Sequence, residues 1–183
     1  MKKLISLLLC ITLALLCAAV FAESVSNQFT ADVRDRFRIT GPLPEGYQYS
    51  IVSQNDMMTR AAITSEDPAA PVLDLTVSFN EIYSDIQRLN DLPEDQLEII
   101  KAGFSEMNEV TFETGETSHG TKLLIVRETG ADRDFLDFYS IYLGYEIELK
   151  LSPSENAADP TLTDEQVKKC ISFLSDLDFV PIE

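Results

Sequence analysis

His119 has the widest chemical range of any residue in this 183-residue chain, and it is the only histidine. As a general base it would need an orienting partner and a substrate proton within ~3 Å; as neutral imidazole it could bind a metal. Its setting, "ETGETSHGTKLLIVRET", argues for neither. Thr117, Ser118, Gly120 and Thr121 flank it, and Ser-His-Gly between two strand-like runs is turn chemistry, with glycine free to take positive φ. Ser118 is not a nucleophile by adjacency, because triads are assembled in space. We expect an exposed hairpin turn. Cys170 is the second candidate. A reactive thiol needs exposure and nearby positive charge. Lys168 and Lys169 precede it directly, but helix neighbours one or two apart face elsewhere. Cys170 shares a stripe with Val167, Ile171 and Leu174, as an inert core residue would.

The carboxylates offer other chemistry. "DRDFLD" brings Asp132, Asp134 and Asp137 close in sequence. It resembles the start of a calcium loop but lacks glycine at the sixth position and glutamate at the twelfth. Weak calcium binding at Asp132 and Asp134 is the metal reading, against a solvated acidic surface. Acids at Glu94, Asp95, Asp164 and Glu165 sit where helix N-termini favour negative charge. No phosphate loop, dinucleotide fingerprint, nucleophile elbow or zinc-protease motif is present, so no cofactor is expected. A hydrolase built on two carboxylates needs neither histidine nor cysteine and stays open. Phe135, Phe138, Tyr139, Tyr142 and Tyr145 crowd one segment. They suit a core, and any outward tyrosine would mark a protein-binding patch.

These residues follow an export signal. Lys2 and Lys3 precede an apolar run, Leu4 to Val20, and Val20-Phe21-Ala22 suits a signal peptidase cutting after Ala22. The run is short of the ~20 residues that comfortably span a bilayer, which disfavours an uncleaved anchor. Leu9 and Leu16 precede Cys10 and Cys17 where a lipoprotein signal wants a small residue. Cleavage leaves 161 residues, enough for one domain with a core, with 12 basic against 31 acidic side chains, a net charge of −19. Such a surface repels nucleic acid and anionic lipid. Cys170 alone remains, so no internal disulfide or four-ligand cysteine zinc site can form.

The organisation expected is a signal over 1–22, a polar linker over 23–34 and a single domain over 35–183. "DRFRIT", "YQYSIVSQ", "MTRAAIT" and "VLDLTVSF" read as strands. Ile82, Ile86 and Leu89 recur at helical spacing. After Pro93 the pattern restarts with Leu97, Ile100, Phe104 and Met107, giving two helices or one broken helix. "NEVTFET" and "TKLLIVRE" are strands flanking His119. "DFLDFYSIYLGYEIELKLS" is a hairpin turning near Leu143-Gly144. Thr163 and Gln166 form a capping box, with Leu162 and Val167 as staple, opening a helix with its stripe on Val167, Cys170, Ile171, Leu174 and Leu177. Phe179 and Val180 should tuck against the sheet. Strands, helical excursion, strands and closing helix make an α+β fold, a largely antiparallel sheet with helices packed on it.

That order resembles the PsbP/DcrB-like fold. The phrases that carry the likeness are "FRITGPLPEGYQY", "GTKLLIV", "YEIELKLS" and "LTDEQVKKCISFLSDLDF", from about Phe37 to Val180. Tyr47 stands where members often have tryptophan. The resemblance implies an α/β/α-like sandwich and a non-catalytic role in binding or supporting a larger complex, as in photosynthetic accessory and bacterial envelope proteins. No member's functional residue maps onto this chain. The expectation is a secreted or envelope-facing domain that binds an unknown protein partner, with no nucleic acid or membrane contact after signal cleavage. The alternatives are an acidic divalent-cation-binding accessory protein and the carboxylate-based hydrolase.

Overall fold

The computed structural model describes residues 27–105, 109–129, 134–159 and 161–182. The expected signal lies outside these residues.

Two antiparallel sheets form. The larger has seven strands in the order β3-β4-β5-β9-β8-β7-β6, and the smaller three in the order β1-β2-β10. In the larger sheet the strands are β3 (Tyr47–Gln54), β4 (Met58–Ser65), β5 (Val72–Phe79), β6 (Glu109–Glu116), β7 (Lys122–Thr129), β8 (Asp134–Tyr142) and β9 (Tyr145–Ser152). In the smaller they are β1 (Gln28–Val33), β2 (Phe37–Pro42) and β10 (Asp178–Pro181). The helices are α1 (Glu94–Ser105) and α2 (Asp164–Ser175).

Period-two alternation gives the large sheet its faces. Leu73, Leu75 and Val77 of β5 pair with Leu151, Leu149 and Ile147 of β9, and all are buried. Phe138 and Tyr142 of β8 continue this layer. Across it lie the small sheet and α2. The Phe37 ring meets Tyr142 at 5.0 Å and Tyr145 at 5.5 Å, both edge to face, the arrangement ring quadrupoles favour. On the opposite face α1 and the chain before it cover only the end built from β6, β7 and β8. Leu89 and Leu97 there pack with Leu124, Val126, Tyr139 and Ile141. Helices on both faces of an antiparallel sheet are the expected α+β sandwich.

Three expectations change. The linker predicted over 23–34 does not hold for Gln28–Val33, which is β1. Phe29, Ala31 and Val33 alternate with Thr30 and Asp32, and the apolar three are buried. The helix predicted around Ile82, Ile86 and Leu89 is instead two 3-10 turns, Glu81–Tyr83 and Leu89–Asp91, with Ile82 exposed. Its backbone serves the β8–β9 turn: Gly144 N–H donates to the Ile86 carbonyl at 3.0 Å, and Leu143 N–H to that of Gln87 at 2.9 Å. The stripe of α2 keeps Cys170, Leu174 and Leu177, with Val167 packed against the core, but gains Phe173 and loses Ile171. Cys170, Phe173, Leu174 and Leu177 are buried, and Ile171 is partly exposed.

The capping box of α2 forms as expected: Thr163 Oγ1 accepts from Gln166 N–H, and Gln166 Oε1 accepts from Thr163 N–H at 2.8 Å. The β8–β9 hairpin turns at Leu143 and Gly144, both at positive φ (52° and 81°), matching the hand of flanking strands. Phe179 is buried through β10, whereas Val180 faces outward.

Candidate functional site

The chain forms a groove of about 770 Å³ between α2 and the loops that follow β2 and β4. Its apolar lining includes Leu43, Leu73, Leu151, Cys170 and Phe173, and Glu45, Asp67, Asp176 and Lys169 also line it. Local bonds shape its walls. Asp67 Oδ1 accepts from Ala69 N–H at 3.0 Å, folding the β4–β5 loop on itself. Tyr47, at the start of β3, donates its hydroxyl to the Pro71 carbonyl at 3.1 Å. Ser154 donates to the Pro68 carbonyl. Proline and glycine break the chain at "GPLPEGY" and proline at "SEDPAAP", but their meeting with α2 depends on tertiary packing.

Cys170 lies at the bottom of this groove and is buried, and that burial pushes its thiol well above the ordinary range. It presents a small apolar surface there, not a nucleophile.

His119 sits in the β6–β7 turn, as its neighbours predicted. Thr117 N–H donates to the Thr121 carbonyl at 2.9 Å, and Gly120 closes the turn at φ 80°. The turn is pinned to α2, since Ser118 N–H donates to the Ser175 carbonyl at 2.7 Å. His119 Nδ1 lies 3.8 Å from Asp178 Oδ2, with both side chains substantially exposed. The histidine thus joins the turn to the start of β10.

Asp132 lies outside the described residues. Asp134 opens β8 in register with Thr129. Among the described residues no group of three or more histidine, cysteine or acidic side chains is placed to hold a metal. Asp137 is not at the start of the strand but inside β8, and its side chain is 1% exposed.

Asp137 is the chemically unusual residue, and sequence reasoning missed it. It projects from the face opposite the groove, in register with Lys150 of β9, which is in register with Asp74 of β5. Its Oδ2 lies 3.6 Å from Lys150 Nζ, and its Oδ1 has no hydrogen-bond partner among the described residues. Burial pushes its carboxyl up to about 6; Lys150 offsets part of this, while Glu148 and Glu128 add to it. Alternation around "DFLDFYSIY" was the available signal: it sets Asp137 on the face of Tyr139 and Ile141, away from water. Two residues along β8, Tyr139 donates its hydroxyl to Glu146 Oε1 at 2.7 Å, and Asn80 Nδ2 donates to Glu146 Oε2 at 2.8 Å. Burial and this carboxylate push the Tyr139 phenol up.

The crowded aromatics form no exposed patch. Phe138, Tyr139, Tyr142 and Tyr145 are buried, and the Phe135 ring lies under Lys150, 4.2 Å from Nζ to its centre.

No family model matches this chain, and no curated protein matches its sequence. Among solved structures it is similar to cyanobacterial PsbP (CyanoP) from Synechocystis sp. PCC 6803, at 14% identity and a TM-score of 0.44, over 84% of this chain and 92% of that one. This is a weak, fold-level PsbP-like resemblance.

Proposed function

We propose that this chain is an exported, non-catalytic binding module whose groove beside α2 holds a segment of a partner protein. The observation that carries the reading is the division of labour between the two faces of the large sheet. The groove, with its apolar bottom and acidic rim, opens on the face that packs against α2. The carboxylate whose affinity for protons is raised, Asp137, is closed off on the other. A carboxylate-based hydrolase needs a general acid of raised proton affinity beside the substrate, and among the described residues Asp137, whose carboxyl is pushed up, faces away from the groove. The groove is suited to grip an apolar side chain, and Glu45, Asp67 and Asp176 outnumber Lys169 around it. The segment it holds therefore carries an apolar anchor next to lysine or arginine.

The leader over 1–22 supports export, and no helix among the described residues is long and apolar enough to cross a membrane. Site-specific photo-crosslinking tests the reading. A photoreactive residue at Ala70 or Gln166, both in the groove lining, should give one discrete adduct in envelope extract, and the same residue at Thr111 on β6 should not. Equal labelling from all three positions, or none from the groove, would overturn the proposal.

A further inference from the structure

The two borders of the large sheet are built differently. Among the described residues β6 pairs only with β7, and β3 only with β4. Strand β6 carries Glu113 and Glu116, and charges along a border strand discourage another chain from pairing with it. Strand β3, "YQYSIVSQ", has no charged residue at all, although a quarter of the chain is charged. It has no proline either, and from Ser50 to Gln54 every residue is exposed. Ile51 and Val52 hold their side chains in solvent at 43% and 59%. In a soluble fold such a border is normally covered or defended.

We infer that β3 accepts an added strand, an extended peptide segment of the partner with uncharged residues along its length and lysine or arginine at one end. This rests on the reading of the chain as a binding module and states how the partner is held. Backbone pairing supplies affinity in this mode, and side-chain pockets supply specificity.

Geometry limits the register. The β3–β4 pairing slips between Ile51 and Ser53, and a bulge bends a strand and breaks its ladder. The flat portion therefore runs from Tyr47 to Ile51. Its Tyr47 end is the groove end: Glu45, Tyr47, Ser65 and Asp67 line the groove and surround the first rung, Tyr47 opposite Ser65. A segment pairing along Tyr47–Ile51 passes directly into the groove.

Charge selects the occupant. Glu45 precedes β3, Glu66 and Asp67 follow the strand it pairs with, and Asp56 lies at the far turn. Asp56 is bound to Arg34 at 3.2 Å, so the acids toward the groove end are the ones left to attract a cation. A second copy adding β3 to β3 would bring together two chains each of net charge −17, whereas a basic end is attracted.

The test is fluorescence anisotropy of the exported protein with a labelled synthetic peptide, Lys-Lys followed by alternating valine and threonine. Saturable binding is expected, with slowed amide hydrogen exchange confined to 47–51. The variant Q48K/S50K, which places charge on the border, should weaken binding about tenfold or more. The same peptide with proline at alternate positions keeps its charge but loses backbone donors, and it should lose binding equally without any change to the protein. Ser172→Trp, which fills the groove, separates the two readings. If Ser172→Trp abolishes binding while Q48K/S50K and the proline peptide have no effect, strand addition is wrong and the groove reading stands. If the reverse holds, strand addition stands and the groove reading is wrong. No saturable binding of the alternating peptide, or sedimentation showing that β3 instead pairs two copies, overturns the inference.

Discussion

Lys150 Nζ lies between a ring and an acid: 4.2 Å from the centre of Phe135 and 3.6 Å from Asp137 Oδ2. The ammonium is partly solvated while the carboxylate is sealed. Desolvation therefore falls mainly on Asp137, and one cation beyond ordinary hydrogen-bond length does not offset it.

A pH dependence follows. The folded carboxyl is pushed up from 3.8 to about 6, so between those values the native state binds more protons than the unfolded chain. Stability from this group is fully present below about pH 3.8 and is lost as pH rises through about 6, by at most ~3 kcal/mol at 1.36 kcal/mol per pH unit. Asp137→Asn should raise stability at pH 7 by about 1–3 kcal/mol and flatten the slope between pH 4 and 6. Urea unfolding across that range measures both. A variant weakened equally at every pH would show that the ion pair is net stabilising.

Cys170 should behave as a core atom. Folded protein should react with a thiol reagent orders of magnitude more slowly than the same protein in denaturant, because the thiolate is both scarce and covered. Ellman's reagent followed by stopped flow suffices. Equal rates would mean that the groove opens deeply enough to expose the thiol.

His119→Ala should change stability by roughly 0.5 kcal/mol or less, the scale of an exposed ion pair, since its contact with Asp178 is long and wet. Partner binding should also be unchanged, because the groove lining does not include it. A tenfold loss of partner affinity would contradict this placement.

Gly144→Ala should cost about 2 kcal/mol or more. The residue sits at φ 81°, and an added Cβ would lie 3.1 Å from Ser84 Cα and 3.3 Å from the Tyr83 carbonyl oxygen. Thermal unfolding of the variant checks this. Gly46 is the control: it shares the positive φ but has open space around it, so Gly46→Ala should cost only the strain, about 1 kcal/mol.

Much of this fold is written locally. Thr163 and Gln166 cap α2, and Tyr145, Ile147, Leu149 and Leu151 declare the buried face of β9, because both signals lie within a few residues of chain. The misses share a cause. Ile82, Ile86 and Leu89 have helical spacing, but the β8–β9 turn takes up the carbonyls of Ile86 and Gln87, a demand made from more than fifty residues away. Phe29, Ala31 and Val33 were masked by polar neighbours, although their alternation was visible. Asp137 looked like one of several surface acids; its burial depends on which strands flank β8. The groove and the bare border of β3 arise only once the order of strands is known.

The smaller sheet sets a schedule. Strand β2 is flanked by β1, made among the first residues of the domain, and by β10, made among the last. A chain still emerging from a ribosome cannot complete that sheet, and pairings between distant segments are slow to form. Phe179 then fills its place beside Tyr142, so β10 latches the sheet. A nascent copy stays open at this sheet until Asp178–Pro181 is free to pair, and a version clipped before Phe179 should be cut faster by proteases.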